Sequence, residues 1–166
     1  MLESFAIHPL GLGKGQIALC PMPGVTGDYA GDFAVIRDWA PDLVISMTTS
    51  DEFQHSGGLS FEADLQCERI AWVHLPIRDF GVPTPEVEAL WPQASEAAQH
   101  VLASGGKVLV HCRGGCGRSG MVVMRLMVEC GEAPGQALRR LRAVRPCAVE
   151  TDAQKDWAGL PARTLP

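Results

Sequence analysis

The chain has 166 residues, 46% of them hydrophobic, with 14 Lys+Arg against 19 Asp+Glu and a net charge of −5. That length and composition suit one domain with a continuous core and exclude disorder as the default state. The acidic balance argues against a general nucleic-acid or anionic-membrane binder, which needs a basic surface, while leaving room for a local basic pocket. No apolar stretch approaches the roughly 18 residues that a bilayer span needs. The first twenty residues include Glu3, His8 and Pro9 and lack the basic start and unbroken apolar run of an export signal. A cytoplasmic protein is therefore expected, with its six cysteines (20, 67, 112, 116, 130 and 147) as reduced thiols, most of them small core hydrophobes.

In chain order, apolar runs suited to buried strands alternate with segments of helical period. This predicts an α/β domain of three layers, with a mostly parallel central sheet flanked by helices. Gln16 to Leu19 reads as a strand, and Asp28 to Trp39 carries one apolar stripe at 29, 33, 36 and 39. Asp42 to Met47 is the next strand, and Thr49 to Glu52 has the form of a capping box before a short helix. Ile70 to Leu75 is a third strand. Thr84-Pro85-Glu86 opens a helix expected to run to about Ser104 and to stop at Gly105-Gly106. Lys107 to His111 is a fourth strand, and Ser119 to Cys130 a buried helix closed by Gly131. Ala137 to Val144 is an amphipathic helix with Arg139, Arg140 and Arg142 on its wet side. A last short helix, Thr151 to Trp157, is opened by a capping pattern between Thr151 and Gln154. No repeat or linker divides the sequence, so residues 1–160 read as one domain and 161–166 as a loose tail.

The informative segment is V-L-V-H-C-R-G-G-C-G-R-S-G, Val108 to Gly120. A buried strand runs into a glycine-rich loop and then directly into a helix, which aims backbone N–H groups and a positive helix end at one point, a place for an anion. Gly114, Gly115 and Gly117 allow the backbone to wrap closely. Cys112 stands at the start of this cradle, where a helix end and adjacent cations favour a thiolate. Arg118, six positions later, has a planar fork that can hold phosphate oxygens as charge shifts between them. Ser119 can donate a hydrogen bond to the sulfur. His111 orients the cysteine, its own side chain pointing to the other face if the strand alternates. A cofactor-phosphate cradle or a merely buried thiol would each explain part of this. Background composition produces H-C-x-x-G-x-x-R-S in such a chain with odds on the order of 10⁻⁵.

H-C-R-G-G-C-G-R-S-G resembles the signature loop of the cysteine-dependent protein tyrosine and dual-specificity phosphatase superfamily. Leu75 to Pro83 (L-P-I-R-D-F-G-V-P) is similar to that family's acid loop. Cys20-Pro21-Met22-Pro23-Gly24 and Ala148-Val149-Glu150-Thr151 with Gln154 add weaker likenesses. The sum most resembles the cyclin-dependent-kinase-associated dual-specificity phosphatases and their bacterial relatives, over roughly Gln16 to Ala158.

The resemblance implies a metal-free hydrolysis of phosphate monoesters through a phosphocysteine, with no cofactor. Cys112 would be the nucleophile, and Arg118 would hold the phosphoryl group with the loop residues Arg113, Gly114, Gly115, Cys116 and Gly117. Asp79 would protonate the leaving oxygen and then deprotonate water; a protonated carboxyl there is worth about 10²–10⁴ in rate. Asp79 could instead serve only the turn. Gln154 would orient the hydrolytic water or be only the return arm of its capping box, and both readings stay open. Arg113 and Arg78 would add positive potential at the rim. The substrate would be a phosphorylated protein or peptide bearing phosphotyrosine, with phosphoserine and phosphothreonine in a shallow dual-specificity pocket. The only tyrosine is Tyr29, and no aromatic recognition loop is present. Loop lysines, the mark of phosphoinositide enzymes, are replaced by Arg113 and Cys116. Met47 and Thr48 stand where the kinase-associated enzyme carries a partner cysteine, so Cys116 is the candidate to cap an oxidised Cys112. Two rivals remain: a silent phosphoresidue-binding module and a rhodanese-like sulfurtransferase, in which Asp79 would have no task. No nucleic-acid or membrane partner is expected.

Overall fold

Strict alternation along two strands decides the layering. In β2 (Gly15–Cys20) and β5 (Lys107–His111), Ile17, Leu19, Val108 and Val110 enter one core, while Ala18, Cys20 and Leu109 enter a second on the opposite face. Both faces are covered, and that is why these strands read as unbroken apolar runs. The computed structural model describes residues 3–161. Its sheet has five strands in the order β1-β2-β5-β3-β4, with β1 (His8–Leu12), β3 (Leu43–Ser46) and β4 (Ala71–His74) completing it. Only the β1–β2 pair is antiparallel; β2, β5, β3 and β4 run parallel.

Helices α1 (Tyr29–Trp39), α2 (Ser50–Ser56) and α3 (Phe61–Cys67) cover one face through Ile36, Phe53, Phe61 and Leu65. The other face is covered by α5 (Trp91–Ala103), α6 (Gly117–Glu129), α7 (Pro134–Val144) and α8 (Asp152–Ala158). Both expected capping boxes form, at Thr49/Glu52 and at Thr151/Gln154. The three-layer α/β architecture is therefore the one expected, with four differences. β1 escapes the sequence because Pro9 and Gly11 break its pattern, which an edge strand tolerates. α3 has no side-chain cap to announce it. The single helix expected from Thr84 to Ser104 is two, a short α4 (Pro85–Glu88) and then α5 with Pro92 in its first turn. Proline has no N–H to return to the carbonyl of Glu88, so the helix must restart. Finally, α6 begins at Gly117, which puts Arg118 and Ser119 in its first turn. Residues 162–166, most of the expected tail, lie outside the described residues. Among the described residues no helix is long and apolar enough to cross a membrane.

A buried polar knot locks α5, α6 and α8 together. Arg125 pairs with Glu129 at 2.8 Å, donates from Nη1 to the Trp157 carbonyl at 2.7 Å and lies 4.6 Å from the Trp157 ring centroid. Glu129 also accepts from Trp91 Nε1 at 2.9 Å and from Ser95 Oγ. Arg125→Ala would strand a desolvated carboxylate and should cost about 3–5 kcal/mol, read as a lower urea midpoint at unchanged slope.

Candidate active site

Each element that ends at the C-terminal edge of the parallel strands contributes to one concavity. β5 delivers Cys112, which is 3% exposed, at the base of the loop. Gly115 takes a left-handed backbone (φ +70), and a Cβ there would lie 2.6 Å from the Cys20 carbonyl carbon. A Cβ on Gly117 would meet Glu150 Oε1 at 2.2 Å, whereas Gly114 faces open space and has no such requirement. Four successive loop carbonyls are held from outside. Met22 N–H donates to Arg113 (3.1 Å), Arg145 Nη2 to Gly114 (3.1 Å), Arg145 Nε to Gly115 (3.1 Å) and Val149 N–H to Cys116 (3.3 Å). A peptide's N–H points opposite to its C=O, so this arrangement turns the amides toward the inside of the loop.

Arg118 is 1% exposed. Its Nη1 and Nη2 each donate to Glu52 at 2.8 Å, and Nη1 also donates to the Ile77 carbonyl at 2.8 Å. Among the described residues its Nε has no partner, a buried donor of the kind an oxyanion would satisfy. Burial opposes the charge on Arg118, but Glu52 and the nearby sulfur outweigh it and its pKa is raised. Burial likewise pushes Glu52 up, yet the hydrogen bonds from Arg118 and Thr49 bring its carboxyl below the usual range. Asp79 Oδ1 lies 3.4 Å from Arg118 Nη2 and accepts from Phe80 N–H at 3.0 Å; its side chain is half-exposed. Cys112 Sγ and Ser119 Oγ are 3.3 Å apart.

The remaining expected residues are placed less uniformly. Gln154 is fully buried with both ends of its amide in use: Oε1 accepts from Glu150 and Thr151 N–H, and Nε2 donates to the Gly81 carbonyl in the acid loop at 3.2 Å. Its capping role is realised, and it also ties α8 to Asp79's loop. Arg113 is exposed on the wall of a cleft of about 290 Å³ shared with Met22, Val25, Asp51, Glu52 and His55. Arg78 is exposed on the acid loop. His111 does point away from Cys112. Its Nε2 lies 2.5 Å from Ser46 Oγ, which in turn accepts from Trp72 Nε1 at 2.8 Å. No group of three or more His, Cys, Asp or Glu that could hold a metal occurs among the described residues.

A family model for a dual-specificity and tyrosine phosphatase domain ("PTP-SAK: Swiss Army Knife protein, DSP-PTPase phosphatase domain") matches residues 42–157, well over half of the chain. The chain belongs to that phosphatase family. It is 32% identical over 91 residues to "Putative tyrosine phosphatase 067L" of Invertebrate iridescent virus 3 (52% of this chain, 38% of that protein). It is 37% identical over 87 residues to "Cyclin-dependent kinase inhibitor 3" of Rattus norvegicus (51% and 40%). The matched stretch is thus about two-fifths of either relative's length. Among solved structures, kinase associated phosphatase with a serine in place of its catalytic-site cysteine superposes with a TM-score of 0.81 at 22% identity, covering 95% of this chain and 94% of that one. "Tk-PTP in the active form" gives 0.69 at 29% identity, covering 86% and 88%.

In this DSP-PTPase chain the expectation of six reduced thiols is wrong at two positions: Cys116 and Cys147 form a disulfide. They are 31 residues apart in sequence and meet because the α7–α8 connection runs along the outside of the loop, which residue counting cannot reveal. The sulfur of Cys116 is therefore committed away from Cys112 and does not cap it, and only its backbone is left for an anion. Cys20, Cys67, Cys112 and Cys130 are free. Glu52 and Arg145 were missed as site residues. Glu52 was visible only as the return arm of a cap, and Arg145 only as one more arginine after α7.

His111 gives this phosphatase fold an acid sensitivity. Burial, with His74 and Arg118 nearby, pushes its pKa from 6.5 down to about 3. The unfolded chain takes up this proton as the pH falls through 6.5, and the folded protein refuses it until about 3. Its stabilising contribution is thus complete above 6.5 and is lost on acidification, by a few kcal/mol in all. Urea unfolding across that window should show a slope that flattens in His111→Asn.

Proposed function

We propose that the chain is a protein phosphatase that hydrolyses phosphotyrosine, and phosphoserine and phosphothreonine as well, through a phosphocysteine. The observation that carries this reading is the Arg118 guanidinium, buried and fixed by Glu52, with an Nε that has no partner among the described residues. The Cys112 thiolate attacks phosphorus, and the P–S bond forms as the P–O bond to the substrate breaks. Arg118 and the inward amides hold the three equatorial oxygens through the transition state. Asp79 gives its proton to the departing oxygen and in the second step takes one from the attacking water. The P–S bond then breaks, and Ser119 O–H stabilises the sulfur as a leaving group. Gln154 holds the acid loop in place through Gly81.

The position of Asp79 beside Arg118 favours this reading over a sulfurtransferase or a silent binding module, neither of which needs an acid there. Phe80 is 59% exposed next to Asp79, and Glu52 and Arg113 line an open cleft. Together they suit the flanking residues of a phosphorylated protein. Residues 1–160 form the catalytic domain in this reading, acting in the cytoplasm without metal or cofactor.

Cys112→Ser should abolish turnover of an aryl phosphate assayed without metal while leaving oxyanion binding largely intact, because serine is not ionised at neutral pH. Retained turnover would remove Cys112 as the nucleophile. Asp79→Ala should slow phosphotyrosine and alkyl phosphate hydrolysis by about 10²–10⁴ but a nitrophenyl ester less, and should remove the basic limb of the kcat/KM profile. Equal losses across leaving groups, with the pH profile unchanged, would make Asp79 a turn residue.

A further inference from the structure

The segment after α7 behaves as a bracket along the outside of the signature loop. Arg145 is 6% exposed and donates to two consecutive loop carbonyls, Gly114 and Gly115, at 3.1 Å each. Val149 N–H holds the Cys116 carbonyl, and Glu150 packs against Gly117. The bracket continues into the α8 cap, where Gln154 reaches the acid loop at Gly81. One covalent bond joins bracket to loop, Cys116 to Cys147, between the residues that make these contacts. This bond leaves the nucleophile out: Cys112 keeps a free thiol, and its hydrogen-bond partner is Ser119.

We propose that the Cys116–Cys147 disulfide is a redox-controlled staple that sets the oxyanion affinity of the signature loop, so that a dithiol reductant lowers phosphatase turnover without touching Cys112. The proposal rests on the phosphatase reading of the site. Cys147 is exposed and Cys116 half-buried, so a dithiol meets the Cys147 sulfur first. Its thiolate attacks that sulfur, a mixed disulfide forms, and the S–S bond breaks with its electron pair on Cys116. Cys116 is the N-cap residue of the 13-residue α6, whose positive end stabilises charge on the departing sulfur. The second thiol of the reductant then displaces Cys147. Two electrons and two protons have passed to Cys116 and Cys147, and the reductant ends as its own disulfide. A small-molecule disulfide such as oxidised glutathione reverses the exchange.

The bond matters because the bracket's remaining grip is made of hydrogen bonds from one arginine and one amide. Closing a chain segment of this length restricts the opened ensemble, in which the loop carbonyls can turn inward and oppose an anion. Reduction therefore leaves the fold in place and the loop less often in its binding shape.

The test uses the full chain and reads binding separately from turnover. In a Cys112→Ser background, tungstate affinity and melting temperature are measured after equilibration with oxidised glutathione, after dithiothreitol, and in Cys112→Ser/Cys147→Ser under both conditions. Alkylation and peptide mass confirm the state of Cys116 and Cys147. The expected result is an approximately tenfold weaker tungstate Kd and a melting temperature lower by roughly 10 °C on reduction. The double variant should give the weakened values in both conditions. Wild-type kcat/KM for an aryl phosphate, compared with Cys112 verified as a thiol in both states, should fall by a similar factor.

Tungstate binding that is equal in the two verified states would overturn the staple and leave the phosphatase reading standing. So would two thiols that stay alkylatable in oxidised glutathione. Absence of tungstate binding in every state would overturn both.

Discussion

The C-terminal edge of the sheet is arranged around the desolvated guanidinium of Arg118 and its pairing with Glu52. A buried cation without a partner is expensive, and removing one member of such a pair costs about 3–5 kcal/mol. Glu52 meets that demand with one edge of its carboxylate fork while its Oε2 also accepts from Thr49 N–H at 2.8 Å. The carboxylate that closes the α2 capping box is thus the one that aims the arginine. Because the pairing occupies both Nη atoms, the guanidinium is held from one side and offers its Nε side to the loop. The side chain meets an anion already oriented, and little reorganisation remains for the moment of reaction.

The same constraint explains the order of elements. β3 and β4 lie on one side of β5; α2, the helix after β3, carries Glu52, and the loop after β4 carries Ile77 and Asp79. Arg118, in the first turn of α6 just past the loop after β5, contacts both of these segments. Three parallel strands therefore end on one side chain, and α/β sheets of this kind gather ligand sites at such strand ends. A fourth contribution comes from the far end of the chain, where Arg145 and Val149 hold the loop's outer carbonyls.

Much of this was legible in the residues. The strand-loop-helix run around Cys112 announces its own local geometry, and β2, β3 and β5 could be placed because their two-sided burial makes them continuous apolar runs, while the edge strand β4 shows as a short run of β-formers. The capping boxes could be read because their spacing is fixed by one helical turn. Partnerships set by tertiary contact were not legible. Thr49-x-x-Glu52 is a complete cap on paper, and nothing local says that its carboxylate has a second task 66 residues away. Six cysteines without spacing pattern do not say that Cys116 and Cys147 meet. The helix break at Pro92 was legible in principle, since a proline one turn after Glu88 denies it a hydrogen bond, but the run of good helix formers around it outweighs that signal on a first reading.

The two carboxylates nearest Arg118 show why burial, and not distance alone, divides their labour. Glu52 touches the guanidinium at 2.8 Å from a side chain that is only 18% exposed, and the pairing holds its carboxyl below the usual range. It is therefore a permanent counter-charge and a poor proton carrier. Asp79 approaches the same cation at 3.4 Å from a side chain that is 47% exposed, on a loop with one left-handed residue, Phe80, immediately after it. Solvent reaches its carboxyl and screens its attraction to the arginine. A group that must protonate a leaving oxygen and later deprotonate water needs that access, and a group that must hold an arginine still needs its absence. One guanidinium bordered by both kinds of carboxylate is equipped to bind an oxyanion tightly without also binding the acid tightly. In the proposed mechanism that separation would let the proton move while the phosphoryl group stays in place.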